Sequence, residues 1–321
     1  MTRRRTVLGR AAAGLLVLLL VGAALLPGRG LGGARPGTAR AVRSVALTVG
    51  DVERSVAFFT TVLGFERVDA VDATGPGYEA LWGLPGVRAR IVRLRLGREA
   101  IELIGFAAPP GRPIPPDSRS DDLWFQHLAI VVRDMTAAHA RLVAHGVDAV
   151  SAAPQILPVT NVAAADIAAF YFRDPDGHTL ELIQYPPGKG DPRWQEPTDR
   201  LFLGLDHTAI TVADTDASLA FYRDRLGLRV VGESVNVGVE QERLTGVAGA
   251  RVRITGLRAA DGPPGIELLD YRAPRAGRRL AAPPGVDDLV HWHVTLAVTG
   301  APQPALVRDP DGHVIEVVGS D

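Results

Sequence analysis

Leu205-Asp206-His207-Thr208-Ala209-Ile210-Thr211-Val212-Ala213-Asp214 runs into Ser218-Leu219-Ala220-Phe221-Tyr222 and stops at Leu226-Gly227. It reads as a strand, a turn and an amphipathic helix ended by glycine. The passage recurs 163 positions earlier as Ser44-Val45-Ala46-Leu47-Thr48-Val49-Gly50-Asp51, Ser55-Val56-Ala57-Phe58-Phe59 and Leu63-Gly64. Shorter echoes start at His127 and His293. A chain that repeats itself is built from repeated units, so the repeat sets its architecture.

Side chains alternate between the two faces of a strand. Thr208, Ile210 and Val212 share one face, and His207, Ala209 and Thr211 the other. The echoes divide alike: Val45/Leu47/Val49, Leu128/Ile130/Val132 and Val294/Leu296/Val298 are bulky and aliphatic. That face calls for a packed helix. The opposite face is small and mildly polar, opens with histidine in three of the four copies, and suits a concave pocket.

Four modules follow in order. Module one, about Arg43 to Phe106, predicts a strand, a helix capped by Asp51, a strand near 66–71, a turn or helix at Tyr78–Leu84, and strands 87–96 and 99–105. Module two, about Asp122 to Tyr185, has a helix opened by Asp134 and ends in Asp174-Pro175-Asp176-Gly177-His178-Thr179-Leu180-Glu181, a hairpin signal. Module three, about Leu203 to Tyr271, repeats module one, with Asp214 as its cap. Module four is shorter, its helix missing or reduced to Thr299–Gln303. It closes with Asp309-Pro310-Asp311-Gly312-His313-Val314-Ile315-Glu316. Pro- and Gly-rich linkers separate the modules.

The chain of 321 residues has no cysteine, hence no disulfide and no thiolate ligand. Its first 41 residues hold seven arginines and no acid, leaving 28 basic against 36 acidic residues in the remainder. A body that acidic is a poor partner for nucleic acid. Arg3-Arg4-Arg5, the apolar run Ala11–Leu26 and Ala39-Arg40-Ala41 are the parts of an export signal, with Arg4-Arg5 resembling the twin-arginine type. Residues 1–41 are therefore expected to direct export to the periplasm or beyond, with cleavage before Val42. The alternative is a membrane anchor at 11–26.

Each module ends in a strand with a glutamate between aliphatics: Glu102, Glu181, Glu267 and Glu316. A carboxylate there is costly unless paired or metal-bound. Beside the histidines His127, His207 and His293, the set suits a divalent ion such as Fe, Mn, Ni, Co or Zn.

The pattern His-x-x-x-x-x-x-Asp, Ser-x-Ala-Phe-Tyr, Leu-Gly and Asp-Pro-Asp-Gly-x-x-x-Glu resembles the vicinal oxygen chelate superfamily of glyoxalases, extradiol dioxygenases, epimerases and bleomycin-resistance proteins. The resemblance implies an α+β fold of tandem βαβββ modules paired into two half-barrel domains, the last module truncated. It divides the chain into a first domain at 42–186, a linker at 187–202 and a second domain at 203–321. It implies one metal site from His207, Glu267, His293 and Glu316, and a second from Glu102, His127 and Glu181, where Ser44 stands in place of a histidine. Glu267 or Glu316 would serve as catalytic base. Expected activities are lyase, isomerase or ring-cleaving dioxygenase on a small oxygen-chelating molecule; the alternative is a metal-free binding protein, favoured by Ser44 and the short fourth module. His178 and His313 are expected in exposed turns, His139 and His145 on a solvated helix, and His291 at a rim.

Overall fold

The computed structural model describes residues 37–275 and 277–320. The arginine-rich and apolar stretch Arg3–Leu26 lies outside them. No helix among the described residues is long and apolar enough to cross a membrane.

Module one forms β1 (Ala39–Val49), α1 (Val52–Thr61), β2 (Glu66–Thr74), α2 (Pro76–Trp82), β3 (Arg88–Leu96) and β4 (Glu99–Phe106). Module two forms β5 (Gln126–Val132), α3 (Met135–Ala144), β6 (Gln155–Ile156), β7 (Ala168–Arg173) and β8 (Thr179–Gln184). Module three forms β9 (Phe202–Thr211), α4 (Thr215–Leu219, continued by a π-helical turn over Ala220–Arg225), β10 (Arg229–Asn236), α5 (Val239–Thr245), β11 (Arg251–Ala259) and β12 (Gly262–Ala273). Module four has only β13 (Trp292–Val298), β14 (Ala305–Arg308) and β15 (Val314–Gly319). The segment between β13 and β14 is a turn, as its composition predicts. Asp51, Asp134 and Asp214 cap α1, α3 and α4 by accepting from backbone N–H groups of the first turn.

The modules do pair into two curled sheets, but not with their neighbours in sequence. One sheet runs β14-β15-β13-β1-β4-β3-β2 and joins module one to module four; the other runs β10-β11-β12-β9-β5-β8-β7-β6 and joins module three to module two. The expected domains at 42–186 and 203–321 are therefore corrected. Each half-barrel takes one module from either side of the 187–202 linker. Both pairings bury the same aliphatic faces, so strand alternation alone cannot choose between them.

Those faces form one continuous core. Val45, Leu47, Leu128, Ile130, Ile210, Val212, Val294 and Leu296 all join it, with Phe59 and Tyr222 from the helical segments. Sequence neighbours meet across this core through the Asp-Pro-Asp-Gly turns. Asp176 of module two accepts from Gly50 N–H of module one (3.1 Å) and pairs with Arg54. Asp311 of module four accepts from Ala213 N–H of module three (2.8 Å). His178 and His313, expected in exposed turns, are buried. His178 Nδ1 lies 2.9 Å from Asp174 Oδ2 and its Nε2 lies 2.8 Å from the Leu289 carbonyl. His313 Nε2 lies 2.9 Å from the Thr211 carbonyl. The turns dock on the opposite sheet, which removes their histidines from water.

β1 starts at Ala39, upstream of the expected cleavage point. Ala39 is fully buried. The Ala39 and Arg40 carbonyls accept from Ala260 and Asp261 N–H (3.0 and 2.8 Å), and Thr38 exchanges two bonds with Thr299. Gly227, at φ +78°, closes against the segment so tightly that a Cβ there would sit 2.3 Å from the Gly37 carbonyl. A chain beginning at Val42 loses these four bonds at about 0.5–1.5 kcal/mol each. It is expected to melt about 5–10 °C below one beginning at Gly37 when the two are compared by calorimetry; equal melting temperatures would contradict this role.

Candidate metal centre

The concave face of the sheet shared by modules two and three gathers four donors. β5 runs antiparallel to β9 with His127 opposite Ala209 and His207 opposite Ala129. The parallel neighbours β8 and β12 add Glu181 beside Ala129 and Glu267 beside Ala209. His127 Nε2 lies 3.1 Å from Glu181 Oε2 and 3.4 Å from His207 Nε2. His207 Nε2 lies 3.5 Å from both Glu181 Oε2 and Glu267 Oε2. Donors bound at about 2.0–2.2 Å to one transition ion stand roughly 3.0–3.5 Å apart at angles of about 90–110°. The separations among His127, Glu181 and His207 therefore fit a single ion, with Glu267 a second carboxylate beside His207, and imidazoles with carboxylate suit a divalent transition metal.

The neighbours orient this set. Asp206 Oδ2 sits 3.0 Å from His207 Nδ1 and accepts from Arg258 (2.9 Å), which fixes the ring with Nε2 toward the cup. Tyr171 packs on the His127 ring at 4.8 Å between centroids. Burial pushes the Glu181 carboxyl up, but hydrogen bonds and charge from His127 and His207 outweigh it and hold the group at about 2. Burial pushes His207 down, and Glu267, Asp206 and Glu181 together overcome that to raise it to about 10.

The donors stand at the wall of a cavity of about 260 Å³ lined by Tyr171, Tyr185, Ser234, Asn236 and Gln241. Asn236 and Gln241 are buried, and the side-chain oxygen of each has no hydrogen-bond partner. Buried polar atoms in proteins are paired with protein, water or ligand.

The expected groupings are thus corrected. His207 and Glu267 lie with His127 and Glu181, whereas His293 and Glu316 lie with Glu102 and Ser44 in the other sheet. There His293 Nε2 is 3.2 Å from Glu316 Oε2, and Glu102 is paired with Arg93. His291, expected at a rim, is buried 3.1 Å from His293 Nδ1. Sequence reading missed Asp206, Asn236, Gln241 and Arg93. It also passed over a usable signal: only modules two and three carry both ligands on an intact scaffold, since module one has Ser44 and module four lacks its helix.

Curled sheets of βαβββ modules with two histidines and two glutamates on one concave face define a class of metal-centred enzymes and their binding relatives. The chain belongs to the Glyoxalase/Bleomycin resistance protein/Dioxygenase superfamily, whose family model matches residues 41–182 and 204–317. It is 37% identical over 167 residues to a 2-epi-5-epi-valiolone epimerase from Actinomyces sp, covering 51% of this chain and 86% of that one. It is 32% identical over 143 residues to the uncharacterized protein YaeR of Escherichia coli strain K12, covering 44% of this chain and 95% of that one. In fold it resembles glyoxalase I from Zea mays, with a TM-score of 0.57 at 16% identity over 88% of this chain and 93% of that one.

Two outcomes follow. His127→Ala and His207→Ala should each lose bound metal, and His293→Ala should keep it, by plasma mass spectrometry. His207 holds a proton from its ordinary 6.5 up to about 10 in the metal-free cup, and a ligand imidazole must shed it. Metal binding near neutral pH should release about one proton per ion, measured by calorimetry in two buffers of different ionisation enthalpy. The release should vanish as pH rises through about 10. No release near neutrality would remove His207 from the ligand set.

Proposed function

We propose that the protein is an exported metal-dependent epimerase or isomerase acting on a small hydroxylated ketone. The observation that carries this is the His127/Glu181/His207 group, with Glu267 beside His207, opening on a cavity with unpartnered Asn236 and Gln241 oxygens. The epimerase relative supports the reaction type. The fourth donor, Glu267, favours proton transfer over ring cleavage, for which two histidines and one carboxylate suffice. The arginine-rich, apolar N-terminus supports export, and the strand beginning at Ala39 favours processing upstream of Thr38.

His127, Glu181 and His207 would hold the ion, which would supply positive charge to substrate oxygen. Glu181 and Glu267 flank the histidine pair from opposite sides, on β8 and β12. Glu267 is the more open, its side chain about one-quarter exposed against 6% for Glu181. It faces Gly256 across the ladder, where no side chain covers it. Glu267 takes the proton from the carbon beside the carbonyl, and the electron pair moves to the carbonyl oxygen. Return of a proton from water in the cavity to the opposite face inverts that carbon, and Glu267 gives the proton it took back to water. Asn236 and Gln241 accept from the substrate hydroxyls and so hold the ring.

Metal-loaded protein incubated with 2-epi-5-epi-valiolone in D2O should place deuterium beside the carbonyl and form the epimer, followed by NMR. Glu267→Gln should slow both by about 100-fold or more. Absence of exchange in the loaded protein would overturn the epimerase reading. Asn236→Ala and Gln241→Ala should each raise KM about five- to tenfold, a lost hydrogen bond, with metal content unchanged.

A further inference from the structure

The second cup repeats the first position by position. Ala46 pairs with His293 and Glu102, as Ala209 pairs with His127 and Glu267. Glu316 pairs with Thr295, as Glu181 pairs with Ala129. Two residues before the central alanine, Ser44 occupies the place of His207. The residue facing the β4 glutamate in the ladder is Arg93, opposite Glu102; its counterpart facing Glu267 is Gly256. The same 163-residue offset puts Ala73 and Tyr78 where the first cup has Asn236 and Gln241.

We infer that this cup is a metal site locked by an internal cation, the Arg93 guanidinium standing in for the ion. Arg93 donates from Nε and Nη2 to Glu102 Oε1 (3.2 and 2.9 Å) and from Nη1 to Asp69 Oδ2 (3.2 Å). The forked donor neutralises the carboxylate that a metal would otherwise hold. Glu316 is satisfied by His293 at 3.2 Å and by Thr295, whose hydroxyl donates to Oε2 at 3.3 Å. The donor set is one imidazole short, and one of its carboxylates is already engaged. Arg93, His293, Glu102 and Glu316 still border a cavity of about 240 Å³ walled by Tyr78 and Trp82. The lock therefore acts on the charge and leaves the hollow.

The test uses cobalt(II) alone as probe, in full-length protein carrying His127→Ala and His207→Ala to silence the first cup. The measurements are visible absorption and equilibrium dialysis. This background should bind no ion, and adding Ser44→His alone should bind cobalt at least about tenfold more weakly than adding Arg93→Gly with it, because Arg93 holds Glu102 and keeps a positive charge in the cup. Adding Ser44→His with Arg93→Gly should bind about one ion per chain. Arg93→Ala provides the same test if glycine in β3 costs the fold, which circular dichroism reports. Cobalt uptake by the background, or equal affinity of Ser44→His with and without Arg93→Gly, would overturn the lock. So would a folded double replacement that binds none. None of these readings depends on the first cup's activity.

Discussion

The antiparallel pairing of β5 with β9 is the constraint on which the site depends. It sets each histidine directly opposite the other strand's central alanine and turns both rings to the concave face. The parallel partners β8 and β12 then carry their glutamates to either flank of the pair. A strand has a period of two, so a slip of one residue would send His127 and His207 into the aliphatic core and bring Leu128 and Thr208 into the cup. The ledger is heavily weighted against that slip, because the convex face belongs to a core shared by all four modules.

The charges on the site are balanced by the same register. Glu181 stays ionised despite burial because both histidines reach its Oε2. His207 stays fixed because Asp206, its immediate neighbour in the strand, turns to the ring and is itself held by Arg258. Without metal, the cup is a hydrogen-bonded cluster of acids and imidazoles. An ion held there would take the same atoms of His127, Glu181 and His207 as ligands.

The repeat, the module boundaries, the two faces of each first strand, the helix caps and all seven ligand-type residues were legible in the sequence, because each rests on local periodicity or turn chemistry. The partnership of the modules was not. Either pairing satisfies the same alternation, and what distinguishes them lies in long-range contacts such as Asp176 with Gly50 and Asp311 with Ala213. His178 and His313 read as exposed for the same reason: a turn looks solvated until the surface it docks on is known. Arg93 was invisible as a lock because its meaning depends on Gly256, its counterpart in the other sheet.

The exchanged pairing gives a single chain the layout of a two-fold dimer whose halves have traded partners. In a homodimer of two-module chains, every substitution would be copied into both cups. Fusion through the 187–202 linker removes that symmetry. Ser44 and Arg93 therefore stand in one cup while His207 and Gly256 stand in the other, so the two hollows differ in charge and in what they can hold.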